Sequence, residues 1–226
     1  MSYFITGTDT GVGKTLVSCA LLHGLAAQGK RVVGFKPVAA GCDGEDHNED
    51  ARALRAASSI QAAYGQINPY CFPHAIAPHL AARHAGVRIE FGRILTSYRE
   101  LAAQADEVIV EGVGGFCVPL NAQQDSADLA AELGLPVILV VGVRLGCLNH
   151  ALLTLRAIAA QPLECAGWVA NVLDDSMPAL QENIDALRER IEAPLLGIVP
   201  FMQAPDAKEA AQLLALNLLE CNPPNE

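Results

Sequence analysis

Short apolar runs alternate along the chain with stretches that carry apolar residues every three or four positions. The runs Tyr3–Thr6, Val32–Lys36, Val108–Glu111, Val137–Val141, Gly167–Asn171 and Leu195–Ile198 are rich in β-branched and aromatic residues and predict strands. No polar residue interrupts Val137-Ile138-Leu139-Val140-Val141, as expected where helices cover both faces of a parallel sheet. Between the runs, helical spacing predicts Thr15–Gln28, Asp50–Ala57, Phe91–Gln104, Ala127–Leu133, Leu148–Ala160, Met177–Ile191 and Ala207–Leu219. Gly29 follows the first of these as a C-terminal cap. In Met177–Ile191, the stripe of Leu180, Ile184, Leu187 and Ile191 reads as core packing. The alternation predicts a doubly wound α/β fold, a mainly parallel sheet flanked by helices, with ligands at the carboxyl ends of the strands. Ser58–Arg88 is broken by Pro69, Pro73 and Pro78 into loop and short helix, and the Pro-Pro tail after Glu220 is expected to be loose.

Composition narrows the class. With 226 residues, 51% hydrophobic and 18% charged, and with no linker, repeat or low-complexity segment, residues 1–226 read as a single globular domain. The net charge of −10 argues against a nucleic-acid partner, which requires clustered Lys and Arg, but leaves room for one nucleotide at a local positive site. Only Lys14, Lys30, Lys36 and Lys208 carry ammonium side chains, which draws attention to the two that follow predicted strands. Seven scattered cysteines with no Cys-x-x-Cys suit a reduced, cytoplasmic protein in which most are small buried residues. His74, His79 and His84 are five apart, off a common helix face, and are assigned no metal. The longest apolar stretch, Pro136–Val143, is too short to span a bilayer, and no signal segment is indicated at the amino terminus.

The most informative segment is Gly7-Thr8-Asp9-Thr10-Gly11-Val12-Gly13-Lys14-Thr15, between a strand and a helix. Such a turn aims several backbone N–H groups at one point, where the helix dipole adds positive charge, and a phosphate chain is the natural guest. Lys14 would reach the terminal phosphates and the Thr15 hydroxyl would hold Mg²⁺. The match is imperfect, because Thr8 stands where the general pattern has glycine.

Other candidates fall at strand ends. Lys36 precedes Pro37, which keeps it extended, so its ammonium is a candidate to neutralise a transferring phosphate; a solvated lysine is the plain alternative. Asp43–Asp50 is mostly a solvated acidic run, but Asp50 opens a helix and reads equally as its N-cap or as a Mg²⁺ ligand. Glu111, before Gly112-Val113-Gly114-Gly115, stands where an acid of Walker-B type belongs. Asn171 could read an adenine edge, although a turn-starting Asn is the stronger reading of its position.

Taken together these segments resemble the dethiobiotin synthetase family, ATP-dependent cyclo-ligases of biotin synthesis with a P-loop NTPase-type fold. The resemblance is carried by Thr6–Thr10 with Val12–Thr15, Lys36-Pro37-Val38-Ala39, Val110-Glu111-Gly112 with Gly114-Gly115, Pro136–Val143, Leu145-Gly146-Cys147 with Asn149-His150-Ala151, and Gly167–Asn171. The family shares the Thr8 departure. The resemblance implies ATP and Mg²⁺, with 7,8-diaminopelargonate and CO₂ as substrates and no membrane or nucleic-acid partner. It implies catalytic roles for Thr10, Lys14 and Lys36, and Mg²⁺ held by Thr15, Asp50 and Glu111. Nucleotide contacts would come from Gly11, Val12, Gly13, Lys14, Thr15, Leu16, Asp50, Glu111, Gly112, Val113, Gly114 and Asn171, with Pro200, Phe201 and Met202 nearby. Substrate contacts would come from Lys36, Ala40, Gly41, Gly146 and Asn149, in a homodimer whose substrate site lies near the subunit interface. Three positions depart from the family pattern: Ala40, where a hydroxyl residue is frequent; Gly11, where an acid is common; and Val113, where Ala is common. None removes a phosphate or metal group.

Overall fold

The computed structural model describes residues 2–43 and 47–220. In chain order the elements are β1 (Tyr3–Gly7), α1 (Lys14–Ala27), β2 (Val32–Phe35), β3 (Val38–Ala40), α2 (Glu49–Ala57), α3 (Tyr64–Ile67), β4 (Tyr70–Phe72), α4 (Pro78–His84) and α5 (Phe91–Ala102). There follow β5 (Glu107–Glu111), α6 (Ser126–Leu133), β6 (Val137–Val143), α7 (Cys147–Ala159), β7 (Cys165–Val172), α8 (Leu180–Arg188), β8 (Leu195–Val199), α9 (Ala207–Ala211) and α10 (Asn217–Glu220).

The six predicted strands form one six-stranded sheet in the order β2-β5-β1-β6-β7-β8. Every pairing within it is parallel. The order reverses direction around β1, so the carboxyl ends of β1 and β5 open the crevice in which such sheets bind ligands. The register sets Ile5 beside Glu111 and Phe35 beside Val110, which brings the tips of β1, β5 and β2 to one level.

Strand periodicity divides the core. Phe4, Phe35, Val108 and Val110 face one layer with Ile94 and Leu101 of α5, whereas Ile5, Ile109 and Ile138 face Leu21 and Leu22 of α1 on the other. Beyond β6, Leu139, Val141 and Trp168 pack with Ile184 and Leu187 of α8. Each such side chain, fully withdrawn from water, contributes roughly 1.5–3 kcal/mol. That clamps the strand whose end carries the glycine-rich turn.

Several boundaries differ from expectation. The predicted Met177–Ile191 helix shortens to Leu180–Arg188, because Ala179 adopts a left-handed φ of 55° at its start. The predicted Ala207–Leu219 helix divides into α9 and α10, since the Ala215 N–H leaves the helix ladder to donate to Leu196 O of β8 at 2.7 Å. Within Ser58–Arg88 lie α3, β4 and α4, and β4 pairs with β3 in a second, two-stranded parallel sheet. Strands of three residues are too short for periodicity to reveal.

That small sheet also corrects the expectation for two cysteines. Pairing of Ala40 with Phe72 places Cys42 and Cys71 at a Cα–Cα separation of 6.2 Å, and the two are joined as a disulfide. Cys19 and Cys147 are buried thiols as expected, Cys165 is half-buried and Cys117 is exposed. The tail after Glu220, with Cys221, and residues 44–46 of the acidic run lie outside the described residues. No described helix is long and apolar enough to cross a membrane.

Candidate nucleotide and metal site

The turn between β1 and α1 is built by glycine at Gly13, the residue before the first helical position, whose φ is 90°. A Cβ at Gly13 would also lie 2.2 Å from Asn171 Nδ2, so both backbone and space demand glycine there. Thr8, the misfit in the motif, has a structural task. Its N–H donates to Val140 O at 3.0 Å and its hydroxyl accepts the Gly142 N–H at 3.3 Å, tying the turn to β6. Asn171, at the end of β7, donates from Nδ2 to Val12 O at 2.9 Å and so ties the same turn to the next strand.

Around this turn opens a cleft of about 800 Å³. Its polar floor is formed by Thr10, Gly11, Gly13, Lys14, Thr15, Lys36, Asp50 and Glu111. Ala39, Ala40, Ile76, Pro78, Val113 and Val118 supply an apolar wall. Lys14 and Lys36 are thus in one cleft, although β2 is separated from β1 by β5; Lys36 reaches across the tip of β5 instead of meeting the turn directly.

A dense ionic cluster occupies the closed end. Lys36 Nζ donates to Glu111 Oε1 at 2.6 Å, to Asp50 Oδ2 at 2.9 Å and to Gly112 O at 3.2 Å. Thr15 Oγ1 donates to the same Glu111 Oε1 at 2.8 Å. Lys36 and Glu111 are almost entirely buried, at 4% and 0% side-chain exposure, so neither charge is screened by solvent. Burial alone would lower the Lys36 pKa, but the carboxylates of Glu111 and Asp50 outweigh it and raise it. Burial likewise opposes ionisation of Asp50, yet Lys36, Thr15 and Lys14 hold its carboxyl below the usual range. Lys14 has no such carboxylate contact among the described residues. Burial, reinforced by the neighbouring Lys36 charge, pushes it down to about 8, and its ammonium turns back to donate to Asp9 O at 3.0 Å.

The two readings of Asp50 separate here. The N-cap of α2 is Asn48, whose side chain accepts the Ala51 N–H, so Asp50 in the first helical turn is left to face Lys36. The donor set of Thr15, Asp50 and Glu111 fits a hard oxygen-seeking cation such as Mg²⁺, which takes one or two carboxylates and completes its shell with water and phosphate. One observation favours such a guest: Glu111 Oε2 is buried and has no hydrogen-bond partner among the described residues. A buried carboxylate oxygen left bare is costly unless something binds it. No group of three or more His, Cys, Asp or Glu side chains suited to a metal occurs among the described residues, and the set proposed here needs only two.

Not every expected residue lines this cleft. Val12 is buried under the turn, Leu16 in the first turn of α1 is half-buried against the core, and Gly112 contributes the carbonyl that Lys36 meets. Gly114 borders the cleft with a positive φ of 65°, its would-be Cβ 3.5 Å from Thr10 Oγ1. Gly41, Gly146, Asn149, Asn171, Pro200, Phe201 and Met202 are outside the lining. Gly146 is the residue preceding α7, Asn149 is exposed in its first turn, and Phe201 and Pro200 are exposed after β8, while Met202 packs partly against the core. Sequence reasoning missed Asn48, the wall segment Ala75–Pro78, and the ion pair of Asp9 with Arg144 at 2.6 Å. The position of Asn48 three residues before Ala51 at a helix start was the one available signal.

Comparison with known proteins adds a family. A family model described as an AAA domain matches residues 1–209. The chain is 55% identical over 218 residues, 95% of its length and 97% of the relative's, to a protein of Aromatoleum aromaticum named ATP-dependent dethiobiotin synthetase BioD. Among solved structures it is similar to the MinD cell division protein of Aquifex aeolicus, with a TM-score of 0.56 and 15% identity over 100% of this chain and 99% of that one. It is also similar to cobyrinic acid a,c-diamide synthase of Mycobacterium smegmatis, with a TM-score of 0.52 and 17% identity over 93% of this chain and 90% of that one. At these identities the solved structures establish the shared P-loop fold, and near-full-length identity above one half does the rest: the chain belongs to the dethiobiotin synthetase family.

Proposed function

We propose that the protein carboxylates 7,8-diaminopelargonate with CO₂ and closes the ring to dethiobiotin, converting ATP to ADP and phosphate with Mg²⁺. The observation that carries the reading is the pair of buried ammonium groups, Lys14 and Lys36, facing two carboxylates at the closed end of a cleft whose wall is apolar. The wall suits a methylene chain, and the floor suits phosphate.

One amine of the substrate takes up CO₂ to form a carbamate. A carbamate oxygen then attacks the γ-phosphorus of ATP, ADP leaves, and a carbamic-phosphoric anhydride forms. The second amine attacks the carbamoyl carbon, the C–O bond to phosphate breaks, and a cyclic urea remains. Both reacting partners of the first transfer are anions, so the barrier includes their mutual repulsion. Lys14 and Lys36 offset it, and because this chemistry depends on positioning and electrostatics, no protein nucleophile is required. Thr10 borders the same space, and the N–H groups of Gly11–Thr15 cradle the phosphates. Thr15, Asp50 and Glu111 would hold Mg²⁺, which when bound supplies charge to the β- and γ-phosphate oxygens. Asn171 keeps Oδ1 for the adenine edge beside Pro200–Met202.

The same reading includes a homodimer. Leu145 and Leu153, at the start of α7 and on it, are 92% and 53% exposed, an unusual display for leucine on an otherwise well-buried framework. Gly146 and Asn149 lie outside the cleft of their own chain, as a substrate tail reaching the partner subunit requires. Incubation with the diamine, bicarbonate and Mg-ATP should yield dethiobiotin by mass. ATP hydrolysis that ignores the diamine and gives no urea would overturn the proposal.

A further inference from the structure

The three contacts of the Lys36 ammonium leave it no free proton. A lysine has three N–H bonds, and here they serve Glu111, Asp50 and Gly112 O. In this arrangement Lys36 cannot donate to a phosphate or a carbamate without releasing one of these three acceptors. The carboxylates it holds are the ones read above as Mg²⁺ ligands. Glu111 Oε1 accepts from both Lys36 and Thr15, whereas Oε2 is buried with no hydrogen-bond partner among the described residues and is the oxygen open to a metal. Glu111 is fully buried and cannot stand uncompensated: a cation must accompany it at every stage.

From this we propose that Lys36 is the resident counter-ion of the Mg²⁺ ligand set. In the nucleotide-free protein its ammonium occupies Glu111 and Asp50. Thr15, Asp50 and Glu111 would hold Mg²⁺ bound with nucleotide, and Lys36, repelled by that charge, would give up its two carboxylate contacts and turn toward the transferring phosphate. One residue thereby offsets the buried Glu111 charge before the metal binds and is delivered to the reaction only once metal and nucleotide are in place. Lys14, which donates to Asp9 O and has no carboxylate partner among the described residues, has no part in this exchange. The inference rests on the reading of Thr15, Asp50 and Glu111 as metal ligands.

Two measurements test it. The first uses the wild-type protein. With only four lysines in the chain, the ¹⁵Nζ resonances can be assigned by single substitution. In the nucleotide-free state Lys36 should give a slowly exchanging ammonium signal that shifts on addition of Mg-ADP but not of ADP with EDTA. A signal unmoved by Mg-ADP, or moved equally by ADP with EDTA, would overturn the proposal. The second measures Mn²⁺ binding by electron paramagnetic resonance without nucleotide. Lys36→Met, confirmed as folded by circular dichroism, should bind Mn²⁺ at least tenfold more tightly than wild type. Unchanged or weaker binding would contradict the exchange. If Lys36→Met does not fold, the wild-type resonance decides. Glu111→Gln separates the two levels. If it retains Mn²⁺-ADP affinity equal to wild type, the ligand assignment itself is wrong; if it loses that affinity while Lys36→Met shows no gain, only the exchange fails.

Discussion

Lys36 carries the heaviest demand on any single side chain, because it serves both stability and chemistry. Removing it leaves Glu111 charged, buried and unpaired, which costs about 3–5 kcal/mol. Adding Glu111→Gln to Lys36→Ala should restore much of the lost melting temperature, whereas equal losses in the single and double variants would mean the pair is not coupled. In kinetics, Lys36→Ala is expected to lower turnover by about two orders of magnitude or more. Its nucleotide affinity should change only several-fold, and equal loss of both would reduce Lys36 to a nucleotide anchor. Lys14 sets a pH dependence. Burial pushes its pKa down to about 8, so above that pH the free protein holds it mainly neutral, while bound phosphate favours the charged form. ATP binding should therefore take up a proton near pH 8.5 and weaken as pH rises further, seen by calorimetry in buffers of different ionisation enthalpy. Binding without proton uptake there would contradict the assignment. Ala40 lies on the cleft wall, and Ala40→Ser, which adds a hydroxyl there, should bind the diamine more tightly; unaltered affinity would make a hydroxyl at this position irrelevant.

Among the elements, the glycine-rich turn is held less by its own sequence than by its neighbours. Thr8 fastens it to β6, and Asn171 fastens it to β7. Asn171→Ala strands the buried Val12 carbonyl, at a cost of about 1–3 kcal/mol. It should weaken binding of ATP and of inorganic tripolyphosphate alike; a loss confined to ATP would show that the strap is unimportant and only the adenine contact matters. These cross-ties mark the boundary of what the sequence could disclose. The six long strands and the motif residues were legible, because β-branched runs and a Gly-Lys-Thr turn are local signals. Lys36, Asp50 and Glu111 were each legible as strand-end or helix-start candidates, but the convergence of both carboxylates on the one Lys36 ammonium depends on the order of β2, β5 and β1, which periodicity does not encode. The β3–β4 sheet and its Cys42–Cys71 link were not legible: three-residue strands separated by 29 positions leave no pattern. The division of the last predicted helix depended on one long-range bond, Ala215 N–H to Leu196 O, and propensity alone favoured continuing it.

At the scale of the molecule, fold and family say different amounts. The scaffold is shared with a cell division protein and a cobyrinic acid diamide synthase, so architecture alone does not choose a reaction. The choice comes from the cleft, with its paired ammonium groups beside an apolar wall, and from relatives alike over nearly the whole chain. Assembly is testable apart from chemistry. Leu153→Glu, on the exposed face of α7, should convert a dimer to a monomer by light scattering and raise the KM for the diamine more than that for ATP. A wild-type monomer with full activity would remove the dimer from the account. The claim that joins every scale is that ATP phosphorylates a carbamate held against Lys14 and Lys36. It is tested most directly by supplying ¹⁸O-labelled CO₂ with the diamine and Mg-ATP and following the label by mass spectrometry. The account predicts one labelled oxygen in the urea carbonyl of dethiobiotin and one in the released phosphate; phosphate free of label would contradict it.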